Sequence, residues 1–273
     1  MILTHSTHPG WLSNAYLVAD GERGAAIAVD TGAPLGPLFD AIESHRLDLA
    51  AILTTHRHVD HVAGHPELAR RTGVGIYALR GEAEHVPNAI PVDDGESLEW
   101  GGIHVKVMGL PGHTGHHAGY LVDGVGLFSG DCLFAGSVGG CSSPSAGSFE
   151  ELRRSIVECV LALPDDTPIY PGHAGATTVG RERTTNPFIR VMTGLDAAGT
   201  GPCVALGRPA RLLVLARDYD GSTKAWVRFL DTDSDLILSG RRVEVHVGLP
   251  GGRDTTPPGP RGTPPGPPEV STG

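Results

Sequence analysis

The stretch TTHRHVDHVAG, residues 54–64, follows the apolar run LAAIL (49–53) and places His56, His58, Asp60 and His61 within six positions. A run that apolar reads as a buried strand. A buried strand end gathers three imidazoles and a carboxylate only where partners or a metal offset the cost of taking them out of water. The pattern recurs at His113 in LPGHTG, Asp131 in FSGDCLF and His173 in YPGHAG, each after an apolar strand and beside glycine. Strand ends on one edge of a sheet converge, and glycine lets the backbone turn there. Any one of these residues alone reads as a surface imidazole or a turn aspartate. Together they are seven donors of the kind borderline divalent metals accept. A catalytic zinc takes three protein ligands plus a water, so seven suit two metals with one carboxylate shared.

Around this stretch, strand and helix alternate. AAIAVD (25–30) is a strand ending in DTG, PLFDAIESHRL (37–47) has helical spacing, HPELARRTG is a short helix closed by Gly73, and VGIYAL is a further strand. Residues 96–131 read as several strands with glycine turns. SFEELRRSIVECVLAL (148–163) reads as a helix opened by a capping box, Ser148 with Glu151. DDTPIYPGH gives a last strand, followed by one helix around ERTTNPFIRVMTGL. Residues 203–249 turn β-rich, in LLVLARDY, KAWVRFLD and RVEVHVGL. The division expected is a domain over 1–200 that carries the seven donors, a small β-barrel-like domain over 201–250 and a disordered Pro/Gly-rich tail over 251–273, which has too little apolar content to offset its ordering entropy.

Composition excludes several classes. The 273 residues are 40% hydrophobic and 19% charged, a globular balance. A net charge of −10 without any run of Lys or Arg is wrong for tracking a phosphate backbone, so no nucleic-acid partner is expected. The N-terminus MILTHSTHPGWLSNAYLV lacks the features of a signal peptide and no apolar run approaches membrane-spanning length, so a cytoplasmic protein with no membrane partner is expected. Cys132, Cys141, Cys159 and Cys203 show no CxxC spacing and read as reduced thiols. Cys132, next to Asp131, should point into the core because a strand alternates its faces.

HRHVDH (56–61), PGHTGHHAGYLV (111–122), LFSGDCLFAGSVG (127–139) and YPGHAGATTVGRERTTNPF (170–188) together resemble the metallo-β-lactamase superfamily, and within it the glyoxalase II-like hydrolases. The resemblance implies an α/β fold, the αββα metallo-β-lactamase sandwich, here with a small C-terminal β-rich domain. It also implies that His56, His58 and His113 ligate one metal and Asp60, His61 and His173 the other, with Asp131 bridging. The metals expected are two divalent ions, zinc foremost, with iron or manganese as the other candidates. Two departures bear on substrate: Gly140 and Cys141 stand where the family has an Arg-Asp pair, and no basic cluster is present to seat glutathione carboxylates, Arg181 and Arg183 being the nearest candidates. CVALGRPARLLVL and GRRVEVHVGLP resemble the HypC-type hydrogenase maturation chaperones, with Cys203 internal rather than terminal; that resemblance implies a protein partner for the C-terminal segment.

The reaction expected is hydrolysis of a small-molecule thioester by a metal-bridging hydroxide that Asp60 orients as the catalytic carboxylate. A thiolate leaves without a proton donor, whereas an amine needs one. The alternatives are a mononuclear iron persulfide dioxygenase using His56, His113 and Asp131, and a non-catalytic metal-binding or hydrogenase maturation accessory protein.

Overall fold

The computed structural model describes residues 1–245; the tail 251–273 and the end of the run RVEVHVGL lie outside the described residues. Two six-stranded sheets form its centre. The first runs Ile2–Thr7, Asn14–Ala19, Ala25–Val29, Asp48–Thr54, Gly75–Leu79, Ala89–Val92, antiparallel over the first three strands and parallel thereafter. The second runs Thr177–Thr178, Pro168–Pro171, Gly126–Gly130, Ala118–Val122, Ile103–Gly109, Ser97–Trp100. Sequence reasoning does not single out the two N-terminal strands.

The sheets face each other across Val18, Ile27, Val29, Leu53, Val105, Val107, Tyr120 and Phe128. The outer face of the first packs on helices Gly36–His45 and His65–Thr72 through Leu17, Ala28, Ile52, Leu38 and Leu68. These helices and the segments covering the second sheet complete the αββα layering. Asp48–Thr54 is apolar without alternation because both of its faces are covered, whereas Ile103–Gly109 alternates buried and exposed residues over most of its length.

The outer face of the second sheet carries the helical segment that begins with the capping box. The Ser148 hydroxyl accepts from Glu151 N–H at 3.1 Å, and the Glu151 carboxylate accepts from Ser148 N–H at 2.6 Å. The segment is α-helical over Phe149–Arg154 and relaxes to π geometry over Ser155–Val160. The single helix expected around ERTTNPFIRVMTGL is two, Val179–Thr185 and Pro187–Met192. Pro187 cannot continue a helix, so the chain restarts there, with the Asn186 side chain accepting from Phe188 and Ile189 N–H.

Residues 201–245 form a five-stranded antiparallel sheet in the order Asp235–Ser239, Thr223–Phe229, Arg208–Arg217, Gly201–Ala205, Val243–Val245. Its two edge strands are joined by Gly240–Arg242 alone. Laid flat, five strands separate their edges by about 19 Å, more than the roughly 14 Å this connection spans. The sheet must therefore curl. One face buries Cys203, Ala205, Val227 and Leu238 among themselves; the other sets Leu213, Val214, Trp226 and Ile237 against Phe149, Leu152 and Phe188. All four cysteines are free, and Cys132 points into the core as expected. Among the described residues, no helix is long and apolar enough to cross a membrane.

Candidate metal centre

The seven donors singled out from the sequence come together at one edge of the two sheets. His56 and His58 lie just past strand Asp48–Thr54, and Asp60 and His61 sit on the single turn Val59–Val62 that follows. His113 follows strand Ile103–Gly109, Asp131 ends strand Gly126–Gly130, and His173 ends strand Pro168–Pro171. Their donor atoms form compact groups: His56, His58 and His113; Asp60, His61 and His173; and His56, His61 and Asp131, each within 4.8 Å. Asp131 spans the first two. One of its oxygens lies 3.5 Å from His113 Nε2 and 3.4 Å from His173 Nε2, and the other 3.4 Å from His61 Nε2.

These residues fit a cation. Donors held 2.0–2.1 Å from a tetrahedral zinc are about 3.3 Å from one another. Here His58 Nδ1 is 3.0 Å from both His56 Nε2 and His113 Nε2, and His61 Nε2 is 3.4 Å from His173 Nε2. Imidazole nitrogens that close repel unless a proton or a metal lies between them. Asp131 Oδ1 is buried without a hydrogen bond. The space is also guarded by glycine: a Cβ at Gly172 would collide with Asp131 Oδ1 and His61. Gly130 takes φ +49°, and a Cβ there would lie 2.7 Å from Thr55 Oγ1 and His117 Nε2.

Charge is distributed to the same end. Burial and the neighbouring imidazoles hold His56 well below its usual pKa, and burial holds His113 down at about 4. Burial also opposes protonation of His61 and His173, but Asp131, with Asp30 and Asp60, overrides it at His61. At His173, Asp131 and Asp60 raise the pKa to about 10. The Asp131 carboxyl, although buried, is held well below the carboxylate range by His173 and His61. Three carboxylates thus draw positive charge into the pocket, and a metal entering it displaces protons.

Most of the imidazoles are aimed by their second nitrogen. His61 Nδ1 donates to Asp30 Oδ2 at 2.9 Å, His113 Nδ1 donates to the Gly140 carbonyl at 2.8 Å, His58 Nε2 meets Ser145 Oγ at 3.0 Å, and His56 Nδ1 meets Thr55 Oγ1 at 3.0 Å. Asp30 also accepts from Thr55 N–H at 2.8 Å and Thr55 Oγ1 at 2.7 Å, so one carboxylate holds both the loop and a ring. The loop carrying His173 is held by Asn14, whose amide donates to the Pro171 and Ala174 carbonyls at 3.1 and 2.8 Å.

Asp30, Glu82, His117 and Tyr219 are the parts sequence reasoning missed or placed loosely. Asp30 ends a strand in DTG and carries the same strand-end-beside-glycine signal as Asp131. His117 is fully buried behind the centre, where its Nε2 accepts from Asp131 N–H at 3.0 Å. Glu82 accepts from Arg57 N–H at 2.6 Å, fixing the loop between His56 and His58. Tyr219 comes from the third sheet and stacks on His173, with ring centroids 4.3 Å apart. Arg183 pairs with Asp165 at 2.9 Å instead of facing the centre. A larger cavity, about 550 Å³, lies under helix His65–Thr72. It contains none of the seven donors, so the chemistry belongs to the smaller cleft beside His113.

The model of the metallo-β-lactamase superfamily matches residues 8–173. Hydroxyacylglutathione hydrolase GloC of Haemophilus influenzae is 33% identical over 197 residues, 64% of this chain and 92% of that protein. A hydroxyacylglutathione hydrolase of Methylococcus capsulatus is 36% identical over 160 residues, 58% of this chain and 60% of that protein. Among solved structures, TTHA1623 in a di-iron-bound form superposes with a TM-score of 0.56 at 31% identity, covering 68% of this chain and 100% of that one.

Proposed function

This chain belongs to the metallo-β-lactamase superfamily, in its glyoxalase II-like branch, and we propose that it is a binuclear metal-dependent hydrolase of a small-molecule thioester. The observation that carries the reading is Asp131, a single buried carboxylate set between two groups of three donors. His56, His58 and His113 would hold one ion, and Asp60, His61 and His173 the other. Bound there, two divalent ions supply an acidified water as nucleophile and a Lewis acid for the substrate carbonyl.

The side chains around that pair do the positioning. Asp60, with Oδ2 3.4 Å from His173 Nε2, is the most exposed carboxylate of the set and orients the attacking water from the open side. His117 and Gly130 keep Asp131 in place from behind. Tyr219 keeps its proton, because burial and Asp131 raise the phenol above its usual pKa. The leaving group needs no acid: a thiol of pKa about 8.5 departs as thiolate. The di-iron form of TTHA1623 supports a two-metal reading.

Elemental analysis of protein purified without added metal, with a thioester panel alongside, tests this. Two equivalents of zinc, iron or manganese are expected. His58→Ala should lose one equivalent and at least ~100-fold in thioester hydrolysis. One equivalent of iron, with persulfide-dependent oxygen uptake and no thioester hydrolysis, would replace this reading with a mononuclear dioxygenase.

A further inference from the structure

The third sheet does more than cover a helix layer: it builds one wall of the cleft that opens onto the metal centre. The turn after strand Arg208–Arg217 faces the loop Gly140–Ser143 across a cavity of about 270 Å³ whose lining includes His113. Tyr219 forms the inner end of that wall, stacked on His173 and meeting Phe134 edge-on at 4.8 Å. The wall is seated firmly. Ser137 Oγ donates to Asp218 Oδ1 at 2.8 Å, and Cys141 N–H donates to the Ile237 carbonyl at 3.0 Å. Residues 201–245 lie outside the span that the superfamily model matches.

The chemistry of the lining is specific. Among the described residues, Lys224 is its one Lys or Arg, and the buried ammonium is already taken by Asp218 at 3.0 Å and the Val138 carbonyl at 3.0 Å. The other polar residues lining it are Ser142, Ser143, Ser222, Ser239, Tyr219 and the exposed Asp220, besides Asp218, which is held by Lys224. A carboxylate-bearing molecule placed here meets the like charge of Asp220 and, among the described residues of the lining, no cation free of a partner; Arg241, which acts on Asp220 from outside that lining, is solvent-exposed. Alcohol groups, by contrast, can both donate to Asp220 and exchange hydrogen bonds with the serines. Building on the thioester reading, we propose that this groove seats the thiol half of the substrate and selects an uncharged, hydroxyl-rich carrier over an anionic one.

The test uses the full-length, metal-loaded protein and lactoyl thioesters of three thiols: 1-thioglucose, uncharged and rich in hydroxyls; N-acetylcysteamine, uncharged without hydroxyls; and glutathione, net anionic. The expected order of kcat/KM is thioglucose, then N-acetylcysteamine, then glutathione, with at least about tenfold between the first and the last. Asp220→Lys should shift the thioglucose-to-glutathione ratio at least tenfold towards glutathione. Asp220→Asn, which keeps an acceptor for the Ser222 N–H now bound at 2.8 Å, should shift it the same way by less. Any other order, or a ratio unmoved by both variants, overturns the assignment of the groove while leaving thioester hydrolysis standing. Hydrolysis of none of the three by the wild type overturns the thioester reading and the groove assignment with it.

Discussion

At the scale of single residues, Asp30 carries as much of the centre's organisation as any ligand. Its carboxylate accepts a hydrogen bond from His61 Nδ1–H and two from Thr55, so it sets both the ring's tautomer and the start of the donor loop. Asp30→Asn keeps an acceptor for Thr55 but presents an amide to His61. Metal affinity should fall about 10–100-fold, measured by competition with a chromophoric chelator; unchanged affinity would show that the His61 bond does not tune the centre. His65 makes a different prediction. Its two ring nitrogens meet Thr31 and Thr54 hydroxyls at 2.6 and 2.7 Å, and burial pushes its pKa down to about 3. As pH falls below about 6.5 the unfolded chain takes up a proton that the folded chain refuses until about pH 3. Stability from this residue is therefore full at neutral pH, is lost across that window, and levels off below it. In metal-free His65→Gln, urea titrations should show a shallower fall of unfolding free energy across the same window; an identical slope would refute the assignment.

At the scale of elements, the sequence announces its boundaries where the cause is local. Ser148 with Glu151, Gly73 after Thr72 and the alternation in Ile103–Gly109 are each legible because capping, left-handed turns and half-buried strands depend on adjacent residues. The break at Asn186 is equally local, yet apolar residues on both sides of Pro187 disguise it as one helix. Asn186 also donates to the Ser137 carbonyl at 3.1 Å and to Glu182 at 2.9 Å, so the cap ties the second helix to the loop beyond Asp131. Asn186→Ala should cost about 2 kcal/mol or more, the loss of a cap plus a buried acceptor left unpaired. Urea denaturation reads this directly, and a change under about 0.5 kcal/mol, typical of an inert surface site, would deny that role.

At the scale of the whole molecule, the third sheet and the sandwich share a core. Trp226 is buried with its ring 4.8 Å from that of Phe149, and Ile237 holds Cys141 next to Gly140, whose carbonyl aims His113. We expect residues 1–245 to unfold as one unit. Trp226→Ala should lower the stability of the entire chain by about 3–5 kcal/mol in a single transition followed by both fluorescence and circular dichroism. Two transitions, only one of them shifted, would make 201–245 an independent domain.

The donor set was legible in the chain before any folding, because ligand chemistry follows residue type, and an apolar run ending beside glycine marks where a strand delivers its last side chain. Fold class followed from the family resemblance those same stretches carry; the alternating strand and helix periods are compatible with the layers but do not by themselves establish them. The surroundings of that donor set were not legible. Asn14 reaches the His173 loop across 160 residues of chain, Asp131 meets both donor groups, Glu82 holds the Arg57 backbone, and Tyr219 arrives on His173 from beyond the matched family span. None of these contacts leaves a local period or spacing. They arise only when sheets stack and loops from distant segments compete for the same space, and it is that packing which decides how the imidazoles are aimed and what the cleft will admit.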